Sequence, residues 1–159
     1  MARSGPPAPA TPLADPDVRV AAVVAGFHRD IAERLLAGAQ ARLTEAGLEH
    51  GHLDVRWVPG AFELPLAAKA MADRGGYAAG GALGLVVRGE TAHFDYICNA
   101  ASTGLARVGL DTGVPCAFGV LTTETHAQAE ARSGGAVGNA GADAADAAIA
   151  MVNLLREVH

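Results

Sequence analysis

The sequence predicts an α/β domain, a three-layer sandwich in which a four-stranded parallel sheet lies between helices. Three features predict it. Short, nearly unbroken apolar runs recur along the chain, as expected of strands buried on both faces. Segments with apolar residues at helical spacing separate them, so the order reads β-α-β-α-β-α-β-α-α, the pattern of parallel crossovers. The runs close on Gly, Pro or polar clusters, where such sheets place ligands outside the carboxyl ends of their strands.

Residues 1–17 carry five prolines and no apolar period. They read as an N-terminal arm outside the core, either extended or disordered, and residues 18–159 read as the domain. Val18–Ala25 is the first strand. Asp30 then precedes a helix with Ile31, Leu35, Ala39 and Leu43 on one face, and Asp30 and Glu33 sit at capping-box spacing. Leu53–Val58 is the second strand, closed by Pro59-Gly60. Phe62–Arg74 is the second helix, with Pro65 confined to its first turn. The third strand spans about Ala82–Val87, since Gly80-Gly81 is poor strand material. A third helix runs from His93 to Leu110, and Cys116–Leu121 is the fourth strand. His126–Arg132 is a short helix, Ser133–Gly141 a Gly-rich loop, and Ala142–Val158 the last helix.

Half of the 159 residues are apolar but only 4% are aromatic, and the 36 alanines and 20 glycines exceed a third of the chain. Such small side chains give a thin core, so burial against further copies is expected. The net charge of -5 and the lack of a basic run argue against a nucleic-acid partner. No stretch approaches the roughly 18 apolar residues of a membrane span, and the N-terminus has no signal-peptide pattern. Cys98 and Cys116 form no CxxC pair, which disfavours a zinc cage or disulfide scaffold and favours the cytoplasm. His50, His52, His126 and His159 show no ligand spacing, so no metal is expected. Any lysine chemistry would fall to Lys69, the single lysine.

The candidate chemistry lies at the strand ends. After Leu85-Val86-Val87, the segment Arg88-Gly89-Glu90-Thr91-Ala92-His93 passes through a Gly turn into a helix. Backbone N–H groups at that helix start, with the Thr91 hydroxyl, suit an anion; an ordinary turn and cap has the same pattern. His93 at the helix start suits proton transfer, although an isolated histidine there is often only solvated. Ala61, Phe62 and Glu63 follow the second strand, where backbone groups and a carboxylate could hold a polyol or amide edge. Phe27 offers a ring face at the first strand end, although a packed core phenylalanine is the plainer reading of the same position. Phe118 reads also as core, and Arg132, suited to phosphate by its fork of donors, is in the usual case a solvated surface cation.

Together, VPGAFELPLAAK (58–69), ALGLVVRGETAHFDYICN (82–99), TGVPCAFGVLTTET (112–125) and GN-x-G (138–141) resemble the 6,7-dimethyl-8-ribityllumazine synthase family of riboflavin biosynthesis. The likeness covers about residues 18–157 and implies a flavodoxin-like sheet. It also implies a transferase without cofactor that condenses 5-amino-6-(D-ribitylamino)uracil with 3,4-dihydroxy-2-butanone 4-phosphate. By the same resemblance, Phe27 stacks on the pyrimidine, and Ala61, Phe62 and Glu63 contact the ribityl chain. Leu85, Val86 and Val87 present backbone to the pyrimidine edge. Glu90 and Thr91 form the phosphate turn, with Arg132 as its cation. His93 transfers protons, and Phe118 is a wall lent by a neighbouring subunit.

The resemblance further implies a homopentamer, with an icosahedral shell of twelve pentamers favoured by the short Gly-rich loop. Riboflavin synthase is a further partner it suggests, and the Pro-rich arm would pack on a neighbour. Three departures stand out. Ala140 replaces a frequent lysine, His28 a frequent asparagine, and Gly80-Gly81 the usual strand residues. Ala140 and His28 feed a rival reading, a lumazine- or flavin-binding or shell-forming protein with little turnover. A generic nucleotide-binding domain is a weaker rival, because Gly26-Phe27-His28-Arg29 is not a Gly-rich phosphate loop.

Overall fold

A computed structural model describes residues 8–159. Strands β1 (Val20–Ala25), β2 (Leu53–Val58), β3 (Ala79–Val87) and β4 (Cys116–Thr123) form one parallel sheet in the order β2-β1-β3-β4. Helices α1 (Arg29–Glu45) and α5 (Ala140–Val158) cover one face, and α2 (Leu64–Arg74) and α3 (His93–Thr112) cover the other. Helix α4 (His126–Arg132) follows β4. The expected three-layer α/β sandwich is therefore the observed one.

The strand period of two divides the core. Val20 and Val24 of β1 and Leu83 and Leu85 of β3 pack with Ile31, Leu35 and Ile149 of α1 and α5. Val23, Ala25 and Ala82 point the other way, toward Leu64, Ala101 and Leu105 of α2 and α3. Much of this burial is alanine, so backbones can approach closely. Where α5 crosses α1, a Cβ on Gly141 would sit 1.9 Å from the Leu35 carbonyl oxygen.

Several boundaries differ from expectation. The first strand begins at Val20 rather than Val18. The capping box at Asp30 does not form. Helix α1 starts at Arg29 after His28, Asp30 lies inside the first turn, where its charge favours the helix dipole, and Glu33 accepts from Arg29 Nε at 2.9 Å. A 3₁₀ turn (Ala61–Glu63) precedes α2, so the single helix expected from Phe62 is split. Pro65 has no N–H to return to Ala61, which accounts for the break.

The third strand starts at Ala79, and Gly80 and Gly81 pair on both sides, with Ala21 and Ala22 of β1 and Cys116 and Ala117 of β4. A central position supplies the pairing that glycine lacks by preference. Helix α3 continues to Thr112 and closes on Gly113 at φ 72°. Strand β4 runs on to Thr123, whose hydroxyl donates to the Thr125 carbonyl. The Gly-rich segment is not a plain loop. It forms a small antiparallel hairpin, β5 (Ser133–Gly135) with β6 (Gly138–Asn139). Asn139 then caps α5, its Oδ1 accepting from the N–H of Gly141 at 2.8 Å and Ala142 at 3.2 Å, so α5 starts at Ala140 rather than Ala142.

The N-terminal segment also differs from a free arm. Leu13 is buried in the α1/α5 core, and its N–H donates to the Ala46 carbonyl. Asn153 accepts from Ala14 and donates to Pro12, and Asp15 pairs with Arg156 at 2.8 Å. Glu45 is held below the usual carboxylate range by the Ala10 N–H and by Arg42. Met1–Pro7 lie outside the described residues.

Asp54 ties the entry of the sheet together, accepting from Arg19 at 2.9 Å and from the Tyr77 hydroxyl at 2.7 Å. The Arg19 hydrogen bond, then that of Tyr77, holds its pKa below the ordinary value. The stabilisation is therefore complete above the unfolded carboxyl pKa of about 4 and vanishes as pH falls through the lower folded value. Asp54→Asn is expected to unfold at lower denaturant than wild type at pH 7, with the gap closing in strong acid. A gap that stays constant with pH would show that the carboxylate charge contributes nothing.

Candidate active site

In the order β2-β1-β3-β4, the chain leaves β1 toward β2 on one side and later places β3 on the other. The crevice between the carboxyl ends of β1 and β3 is thus the topological switch point, where open α/β sheets bind ligands. The β1–β3 ladder ends at the Val24–Leu83 pair, while β3 continues to Val87 paired with β4. Beyond Leu83, the edge of β3 that faces the crevice is therefore free of ladder pairing. Leu85 buries its side chain in the α1/α5 core, and Val86 and Val87 are half-buried. These three residues offer the crevice backbone donors and acceptors more than side chains.

Phe27 follows β1 and is 81% exposed. It rests on Gly60, where an added Cβ would lie 2.7 Å from the ring. Gly60 also donates its N–H to Glu63 Oε2 at 3.0 Å. Phe27, Gly60 and Glu63 therefore form one wall, an exposed ring beside an exposed carboxylate, with Ala61 buried beneath and Phe62 60% exposed. His28 lies by His126, with ring centroids 6.3 Å apart, and His126 Nε2 is 3.4 Å from Asp30.

The turn after β3 is exposed from Arg88 to His93. Helix α3 has no side-chain cap at Ala92; instead Thr91 Oγ1 accepts from the His93 N–H at 3.4 Å. One of the helix-start donors expected for an anion is thus shared with Thr91. The N–H groups of Glu90, Thr91 and Ala92 make no bond among the described residues. The His93 imidazole is likewise exposed and without a hydrogen bond among them.

Arg88 and Arg132 differ in charge balance. Arg88 gives Nε to Glu124 at 2.8 Å and Nη1 to Asp95 at 3.3 Å, and its guanidinium lies 4.3 Å from the Phe94 ring centroid. Desolvation opposes its charge, but Glu124 and Asp95 outweigh that and raise its pKa. Arg132, half-buried at the end of α4, donates to the Gln128 carbonyl at 3.0 Å and meets no carboxylate among the described residues. Nothing local in the sequence marks Arg88, Glu124 and Asp95 as a group.

Phe118 does not join this cluster. It pairs with Ala82 on the edge strand β4, five residues before Thr123, and is 44% exposed. At about 3.3 Å per residue it lies roughly 16 Å from the strand end. Neither thiol is activated as a nucleophile. Burial pushes Cys116, at the start of β4, up to about 11, and burial followed by the Asp95 charge raises Cys98. Neither is a thiolate at neutral pH. Among the described residues, one trio with potential ligand atoms converges, Asp17, Glu49 and His52 within 4.8 Å. It lies beside the start of β2, at the opposite end of the sheet.

The family model for 6,7-dimethyl-8-ribityllumazine synthase matches residues 17–156 of the chain. The chain belongs to the lumazine synthase family. Membership implies lumazine synthase activity, a transferase reaction of riboflavin biosynthesis. The match takes in every strand end described above and the cap at Asn139. It leaves out only the first sixteen residues and the last three. Among the described residues no helix is long and apolar enough to cross a membrane.

Proposed function

We propose that the crevice between β1 and β3 condenses 5-amino-6-(D-ribitylamino)uracil with 3,4-dihydroxy-2-butanone 4-phosphate to 6,7-dimethyl-8-ribityllumazine. The observation that carries this reading is the convergence, at the switch point of a lumazine synthase family chain, of an exposed ring, an unpaired strand edge and an open turn ending in His93. Phe27 would stack on the pyrimidine, and the backbone of Leu85–Val87 would read its edge. Ala61, Phe62 and Glu63 would face the ribityl hydroxyls. The N–H groups and hydroxyl of Glu90 and Thr91 would hold the phosphate with Arg132, whose charge no carboxylate takes up among the described residues.

The substrate amine attacks the ketone and loses one water to give an imine. Phosphate is then eliminated, the enol tautomerises, and the second amine closes the ring with loss of a second water. Each step moves a proton near His93, which can accept and return it. Holding two reactants together lowers the barrier by roughly 7–11 kcal/mol, and a positioned acid or base adds about 10²–10⁴-fold. The reaction needs no enzyme amine, consistent with a chain that has one lysine.

The same reading makes residues 18–159 the catalytic domain and residues 1–17 an N-terminal segment, in a cytoplasmic homopentamer that assembles further into a shell of twelve pentamers. Leu66, Tyr96 and Leu110 are each more than 70% exposed on α2 and α3, an apolar face suited to a neighbouring copy. Phe118, too far from its own crevice, would line the neighbour's. Ala140 leaves the start of α5 without a cation, and the Asn139 cap holds that start without one.

Purified protein mixed with both substrates is expected to raise lumazine absorbance above a no-enzyme control. Binding of the ribityl ligand with no product above background would favour the binding or shell-forming reading instead. Arg132→Ala is expected to raise KM for the butanone phosphate about 10-fold or more, the scale of a lost charged hydrogen bond, with a smaller change for the pyrimidine. Equal changes for both substrates would remove the phosphate role from Arg132.

A further inference from the structure

We propose that Arg88 is a positioning residue that fixes the direction of His93, an inference that rests on the function proposed above. The first step is register. Val87 pairs with Thr123, so the next residues of β3 and β4 emerge side by side, and the Arg88 N–H donates to the Thr123 carbonyl at 2.9 Å. The Arg88 side chain then reaches in two directions. Nε is held by Glu124 at 2.8 Å, which anchors it to β4. Nη1 faces both oxygens of Asp95, at 3.3 and 3.4 Å, and the guanidinium lies over Phe94. Phe94 and Asp95 are the two residues directly after His93.

Phe94 is buried, but the turn before it has little else to hold it. Residues 88–93 are exposed, Ala92 supplies no side-chain cap, and a Cβ on Gly89 would meet nothing within 4 Å. The Thr91 contact to the His93 N–H is long, at 3.4 Å, and the imidazole has no partner of its own among the described residues. The placement of His93 therefore depends on where the first turn of α3 sits, and Arg88 closes a bracket across the Gly89–Ala92 turn onto that turn. Arginine suits the task because its planar fork serves two carboxylates while its face stacks on a ring; lysine can do neither as well. Each exposed ion pair adds little stability, but catalysis is sensitive to placement, and an error of about 1 Å can cost about 10²-fold. With two carboxylates taking up its charge, Arg88 is a poor phosphate ligand, which leaves that task to Arg132.

The test combines kinetics with amide hydrogen exchange on the intact chain. Arg88→Met is expected to lower kcat about 10-fold, with KM for the butanone phosphate changed less than about twofold. In a His93→Ala background the same change is expected to cost nothing further, because it acts through His93. Exchange is expected to quicken over residues 89–95 and to stay unchanged in the sheet. A raised KM with unchanged kcat, an undiminished loss in the His93→Ala background, or unaltered exchange over residues 89–95 would each overturn the proposal. Glu124→Gln, which weakens only the β4 anchor, is expected to quicken exchange over the same residues to a smaller degree. Unchanged exchange in that variant overturns the proposal even if Arg88→Met fails to fold. If the wild-type protein forms no lumazine, the proposed function fails, while exchange over residues 89–95 still decides whether Arg88 holds the turn.

Discussion

Replacing His93 by alanine is expected to lower kcat for lumazine formation by about 10²-fold, the low end of what a positioned acid or base supplies. The loss is expected to be partial for a chemical reason. In the proposed reaction the amine and the ketone are intrinsically reactive toward one another, and the crevice would still bring them together. KM for both substrates is expected to stay close to wild type, because the phosphate and pyrimidine contacts assigned above belong to other residues. The His93 side chain is exposed and makes no hydrogen bond among the described residues, so the variant is expected to unfold near the wild-type temperature. Steady-state kinetics with each substrate varied, alongside thermal unfolding, checks both halves. A variant that keeps the full rate would take the proton role from His93. A variant that loses KM alone would make it a binding residue.

How far the site could be seen in advance follows from the range of the interactions that build it. Phe27, Gly60, Glu63 and His93 each sit within a few residues of a strand end, so the four strands legible in the sequence place them together at the carboxyl end of the sheet. The Gly89 turn into α3 was legible for the same reason. Arg88 was not. Its partner Glu124 is 36 residues away, and in sequence both look like ordinary solvated charges. They become neighbours only through the pairing of Val87 with Thr123. Leu13 was hidden among prolines because a single apolar residue has no period, and its burial depends on α1 and α5 both being in place. The hairpin at 133–139 is not legible in the sequence because glycine gives no strand signal. The informative residue there is Asn139, whose Oδ1 caps α5 and whose Nδ2 donates to the Arg34 carbonyl. A Gly-Asn pair before an alanine-rich helix is the local sign of such a cap.

Gly141→Ala is expected to be the most destabilising glycine-to-alanine change among the described residues, by about 3 kcal/mol, the upper range for overpacking. The added Cβ would lie 1.9 Å from the Leu35 carbonyl oxygen, 2.6 Å from its carbonyl carbon and 2.9 Å from its Cα. All three are backbone atoms of α1, so no rotamer change can relieve the contact. The helices must separate, and the buried residues between them, Leu35, Ala144, Ala145 and Ile149, lose contact together. For a chain of this length the change corresponds to a fall in melting temperature of about 6–12 °C. Gly81→Ala provides the contrast. It adds the same methyl group to β3, but that Cβ meets nothing within 4 Å and the backbone lies outside the left-handed region. There the lower entropy of the unfolded chain favours alanine by about 0.4–1 kcal/mol, so its melting temperature is expected to match or exceed wild type. Equal effects of the two substitutions would show that α1 and α5 can part without cost. The core would then owe its stability to the sheet rather than to the crossing at Gly141. An alanine-rich core makes the opposite outcome the expected one, because small side chains stabilise a fold only where the backbones they replace bulk between are brought into close contact.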